Sequence, residues 1–139
     1  MRIILDTNVF VSGIFFTGPP HHIVRAWREG RTTLVISPEI YEEYRAVGLR
    51  LAADFPGVKL APFLELLLQT AVMALAPRLS DVPCDDPDDV KFVACALVSA
   101  TSLVVSGDRH LLRISGYRGL TVLTPRSFME RYLLRRELP

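Results

Sequence analysis

Residues Arg2 to Asp6 read RIILD, a short apolar run that ends in an acid, and the form recurs at Thr33 to Ser37 (TLVIS) and Ser102 to Ser106 (SLVVS). Each run is β-branched, four or five residues long and not alternating, the pattern of parallel strands covered on both faces. Thr121 to Thr124 (TVLT) adds a fourth strand, and Val72 to Ala76 holds a candidate fifth. Between these runs lie helical segments. Pro20 to Gly30 opens on prolines and closes on glycine, while Ser37-Pro38, Asp86-Pro87 and Thr124-Pro125 each place a capping side chain before a proline at the first helical position. Strands alternating with helices predict an α/β fold, with a mainly parallel sheet of four to five strands flanked by helices and joined by right-handed crossovers.

The chain has 139 residues, 50% hydrophobic and 22% charged, a size and composition that suit one domain over residues 1–139 with its own core. That apolar content excludes the disordered and fibrous classes. The most apolar stretch, Phe63 to Ala76, is interrupted by Glu65 and Gln69 and falls short of the roughly 18 to 20 residues of a membrane span. It reads as a core helix. Arg2 and Asp6 enclose too few apolar residues for a secretory signal, so a soluble cytoplasmic protein with no membrane partner is expected. Cys84 and Cys95 have neither CxxC spacing nor a histidine pair, which leaves two reduced thiols and no zinc site.

Net charge is only +1, yet its distribution is uneven. Five of the eight aspartates (Asp81, Asp85, Asp86, Asp88, Asp89) fall within nine residues, whereas the segment from Arg109 onward carries seven arginines against Glu130 and Glu137. In an open α/β sheet, ligands bind beyond the carboxyl ends of the strands. Asp6, followed by Thr7 and Asn8, stands at one such end, and Ser106-Gly107-Asp108 stands at another. Turn formation and helix capping account for either aspartate alone equally well.

On the helix from Pro38 to about Arg50, Ile40, Tyr44, Val47 and Leu51 mark the buried stripe. Glu39 and Glu42 lie off it; Glu43 lies on its margin and points partly inward, where a carboxylate calls for a partner. The loop CDDPDD at Cys84 to Asp89 opens a further helix, with Asp86 as its cap and Asp88 and Asp89 in its first turn. Capping does not require four aspartates, whose mutual repulsion a divalent cation would relieve. Hard oxygen donors without a histidine or cysteine cluster suit magnesium or manganese. Spacing leaves both Asp88 and Asp89 open as the inward-facing member.

Four pieces of the sequence together resemble a PIN domain: LDTNVFVSG at Leu5 to Gly13, SPEIYEEYRAV at Ser37 to Val47, DDPDDVKFVACAL at Asp85 to Leu97 and VVSGDRHLL at Val104 to Leu112. The resemblance implies a ribonuclease dependent on Mg2+ or Mn2+, and in small members a VapC-like toxin paired with an antitoxin protein and assembled as a homodimer. Its acids map onto Asp6, Glu43, Asp89 and Asp108, as both catalytic and metal-holding residues. Asn8 or Thr7, Ser106 and Asp86 follow as auxiliaries. Arg109, immediately after Asp108, is the nearest arginine in sequence for contact with RNA phosphate, with a solvated surface role as the alternative. Asp86 is expected to act as a cap and the other three aspartates as ligands; Asp85 and Asp88 carry no assigned role.

Other readings fail on particular residues. A phosphate-binding NTPase needs GxxxxGK[ST], which is absent. A phospho-receiver needs a lysine after a late strand, and Lys59 and Lys91 are the chain's only lysines. The alternatives kept beside a toxin ribonuclease are a non-catalytic PIN-like protein-binding module, marked by loss of an acid, and a PIN nuclease for RNA processing or DNA.

Overall fold

The computed structural model describes residues 1–75, 82–84 and 86–134. Ala76, Asp81, Asp85 and the arginines at 135 and 136 lie outside the described residues. Strands β1 (Arg2–Leu5), β2 (Thr33–Ile36), β3 (Val72–Met73), β4 (Leu103–Val105) and β5 (Thr121–Leu123) form one sheet, in the order β3-β2-β1-β4-β5. Every pairing is parallel, with Ile3 opposite Leu34, Leu5 opposite Val105, and Val104 opposite Val122. The apolar runs are explained by their burial: Ile3 to Leu5, Leu34 to Ile36, and Val104 with Val105 are all buried at consecutive positions. Strand order reverses between β1 and β4, which opens a crevice where the ends of those two strands diverge.

The helices are α1 (Thr7–Phe15), α2 (Pro19–Arg28), α3 (Pro38–Asp54), α4 (Ala61–Thr70), α5 (Val90–Ser99), α6 (Arg109–Arg113) and α7 (Pro125–Phe128). A tight turn at Pro87–Asp89 leads into α5. All three proline-marked starts are capped as expected. Ser37 Oγ accepts from the Ile40 amide at 3.2 Å, an Asp86 carboxylate oxygen accepts from the Asp88 amide at 3.0 Å, and Thr124 Oγ1 accepts from the Ser127 amide at 3.1 Å. No helix among the described residues is long and apolar enough to cross a membrane. Both cysteines are free; Cys95 lies in the core, where burial pushes its thiol up to about 12.

Helix α1 has no counterpart in the sequence reading. Seven of its nine residues are buried, so no polar face marks a helical period, and Thr7, Val9, Val11 and Gly13 are poor helix formers. Tertiary packing holds it. Phe10 stacks on Tyr44 of α3 with ring centroids 4.3 Å apart and meets Trp27 of α2 edge-on at 5.7 Å. The stretch read as a core helix from Phe63 is helical only to Thr70. On α4 Leu67 is fully buried while Phe63, Leu64 and Leu66 are partly buried against the core, and the chain then turns into edge strand β3, leaving Leu68, Met73 and Leu75 exposed. On α3 the stripe is Ile40, Tyr44 and Gly48, with Val47 and Leu51 half-buried, because Leu60 fills the space over Gly48.

Gly13 sets the approach of α1 to α2. A Cβ there would meet Val24 Cγ2 at 2.3 Å and the Pro20 carbonyl oxygen at 2.5 Å, and backbone cannot swing aside as a side chain does. Gly13→Ala is therefore expected to lower stability by about 1–3 kcal/mol in urea denaturation. An unchanged midpoint would show that the two helices are free to separate.

Candidate active site

The crevice is lined by residues that follow β1 and β4 and by the turn that opens α5. Asp6 leaves β1 with its amide bonded to the Val105 carbonyl at 2.9 Å, and its own carbonyl starts α1 by accepting from Val9 and Phe10. Its side chain, 6% exposed, takes no part in capping α1. It accepts from Ser106 Oγ at 2.6 Å, while that hydroxyl accepts from the Asp108 amide at 2.9 Å. One fully buried hydroxyl thus ties the ends of β1 and β4 together. Asp108 caps α6 by accepting from the His110 amide at 2.7 Å, and one of its oxygens also faces the crevice cluster. Beneath the crevice, the Tyr44 hydroxyl donates to the Leu5 carbonyl, anchoring α3 against the end of β1.

The inward-facing member of the acidic loop is Asp89. It is 6% exposed, whereas Asp88 is exposed. One oxygen from each of Asp86, Asp89 and Asp108 lies within 4.8 Å of the other two. Asp86 therefore combines the cap expected of it with a place in the carboxylate group. Asp89 Oδ2 is buried and has no hydrogen-bond partner among the described residues. Burial of that kind is costly for a carboxylate unless a cation or a proton compensates. Burial first, and then Asp108, Asp6 and Asp86, push Asp89 up to about 7. Asp6 is also raised, chiefly by burial and further by Asp108 and Glu43, against the lowering effect of the Ser106 hydroxyl and the Thr7 amide. Three carboxylates, one of them with an unpaired buried oxygen, fit a divalent cation of the magnesium or manganese type.

Glu43 stands outside this group of three. Thr7 Oγ1 donates to its Oε1, and Lys91 Nζ lies 2.6 Å from its Oε2. Glu39 and Glu42 are exposed, as the helical stripe requires. Of the two polar candidates after Asp6, Thr7 is buried and bonded to Glu43, whereas Asn8 is exposed. Arg109 is exposed at the first residue of α6. Lys91 is the residue that sequence reasoning passed over. Its signal was present as a lysine two residues after Asp89 in a chain that otherwise uses arginine, but spacing along α5 does not reveal that it reaches α3.

A family model described as PIN domain matches residues 2–110, which span every residue named in this site. No curated protein matches the chain.

Two outcomes follow from these contacts. Ser106→Ala strands the Asp6 carboxylate and the Asp108 amide, and should cost about 1–3 kcal/mol of stability in urea denaturation; a loss within error would separate the site from the Ser106 hydroxyl. The pH dependence has a definite sign. Asp89 and Asp6 bind protons more tightly folded than unfolded, so their contribution to the stability of metal-free protein is full below the ordinary aspartate value and is lost as pH rises towards about 7. In EDTA, urea midpoints should fall between about pH 5 and pH 8, and fall less in Asp89→Asn. Equal slopes for both proteins would contradict the assignment to Asp89.

Proposed function

The chain belongs to the PIN-domain family, and from that premise we propose that it is a divalent-metal-dependent ribonuclease acting as the toxin of a toxin-antitoxin pair. PIN domains are generally nucleases, hydrolases of nucleic acid that use divalent metals, and the group of three carboxylates is compatible with such an ion. The observation that carries the proposal is Asp89, buried with one oxygen unpartnered and grouped with Asp86 and Asp108. Carboxylates crowded in this way repel phosphate as well as one another, so they serve the substrate only through a cation.

In this reading Asp86, Asp89 and Asp108 hold the ion, Asp6 deepens the negative field from the end of β1, and Glu43 closes the α3 side of the crevice. When bound, the ion supplies Lewis-acid polarisation of the scissile phosphate and activation of a water. The chain's own residues do the rest. Ser106 keeps Asp6 and Asp108 in register across the strand ends. Tyr44 holds the Leu5 carbonyl, so the backbone that carries Asp6 is fixed. Arg109, exposed beside Asp108, offers a planar pair of donors to an RNA phosphate that the acids cannot grip. All four acids of the resemblance are present, which argues for catalysis over a purely protein-binding role. The toxin assignment, an antitoxin that covers the crevice, a homodimer and a cytoplasmic location rest on the resemblance.

Purified protein with Mg2+ or Mn2+ is expected to cleave RNA and to stop in EDTA, and Asp89→Asn to cleave about two orders of magnitude more slowly, the scale of losing one charge-stabilising group. Undiminished cleavage in EDTA would overturn the metal mechanism, and cleavage of DNA alone would replace the substrate. Expression in bacteria should slow growth, and Asp6→Asn should not; equal toxicity would reject poisoning by cleavage.

A further inference from the structure

The carboxylates of the crevice fall into two sets that the chain treats differently. Asp86, Asp89 and Asp108 face one another, and Asp89 keeps an oxygen that no described group satisfies. Glu43 has both oxygens engaged, Oε1 by the Thr7 hydroxyl and Oε2 by the Lys91 ammonium at 2.6 Å. The Lys91–Glu43 pair joins α5 to α3 at the crevice, whereas Arg25–Glu29, Arg45–Glu42 and Arg126–Glu130 are exposed pairs three or four residues apart in sequence.

Lys91 is itself held. Its side chain is 14% exposed, its ammonium also donates to the Asp88 carbonyl, and it lies 5.3 Å from the Phe92 ring centroid. Asp88 and Lys91 flank Asp89 across the turn that opens α5, so one short segment delivers a buried carboxylate to the group of three and a cation to Glu43. A divalent ion approaching Glu43 would have to displace a largely buried ammonium and leave that charge without its partner. Each of those steps opposes binding. On the other side of the crevice, nothing among the described residues competes for Asp89 Oδ2.

We propose that Lys91 takes the place of a second metal ion: it neutralises Glu43, and the crevice accepts one divalent ion, on Asp86, Asp89 and Asp108. The proposal rests on the divalent-metal reading above and deepens it by assigning Glu43 to the protein's own cation. Lys91 is then a positioning residue, and its charge, rather than its shape, is what limits the site.

Titration of the purified chain with Mn2+, followed by the electron paramagnetic resonance signal of the free ion and by calorimetry, tests this without any activity measurement. Wild type is expected to bind one Mn2+. Lys91→Gln frees Glu43 and should bind a second, weaker Mn2+, whereas Lys91→Arg keeps the charge and should bind one, and the pair Lys91→Gln with Glu43→Gln should return to one. Glu43→Gln alone should retain the single ion, while Asp89→Asn weakens it by about tenfold or more. Two ions on wild type, one ion with unchanged affinity on Lys91→Gln, or loss of the ion in Glu43→Gln would each overturn the proposal and leave the metal site standing. Absence of Mn2+ binding to wild type would overturn the metal reading itself.

Discussion

The Ser106 hydroxyl, fully buried, donates to Asp6 and accepts from the Asp108 amide, and this pair of bonds is the constraint on which the crevice depends. A parallel sheet brings the carboxyl ends of β1 and β4 side by side, but it does not dictate how two acidic side chains at those ends share the space. One hydroxyl, acting as donor and acceptor at once, gives each strand end a fixed partner. It also offsets part of the desolvation that raises Asp6. With that pairing made, Asp108 is free to cap α6 and to turn an oxygen towards Asp89 and Asp86.

The acids of the crevice differ in the partners available to them. Asp6 is satisfied by a hydroxyl and Glu43 by a hydroxyl and an ammonium, while Asp89 retains a buried oxygen with no partner among the described residues. A protein of marginal stability does not keep such a group without return, because a buried carboxylate that is neither paired nor protonated opposes folding. The unpaired oxygen is therefore the point in the fold where stability and ligand binding are most directly opposed, which is the usual mark of a functional site.

The same reasoning explains which helices were legible in the sequence. The starts of α3 and α7 and the turn before α5 carry a capping side chain followed by proline, a local device that works through bonds over two or three residues. Helix α1 carries no such device, and its burial on nearly every side erases the amphipathic period; packing holds it instead, with its Phe10 set against Tyr44 and Trp27. Helix α4 shows the converse: a strongly apolar stretch in which only Leu67 is fully buried and Phe63, Leu64 and Leu66 are partly so.

Local chemistry alone determined four of the strands, the three proline-marked caps, the place of Glu43 at the margin of its helical stripe and the presence of acids at two strand ends, because each depends on neighbours within a turn or a strand; the short edge strand β3 it left only as a candidate. It left Asp88 and Asp89 equivalent, since both lie near the packed side of the same short turn. The tertiary structure decided between them by burying Asp89 and exposing Asp88. It also gave Asp86 a second role beside its cap, and joined Lys91 of α5 to Glu43 of α3 across 48 positions of sequence. Such pairings depend on where separate elements come to rest, and long-range contact between charges is not encoded in the spacing of either segment by itself.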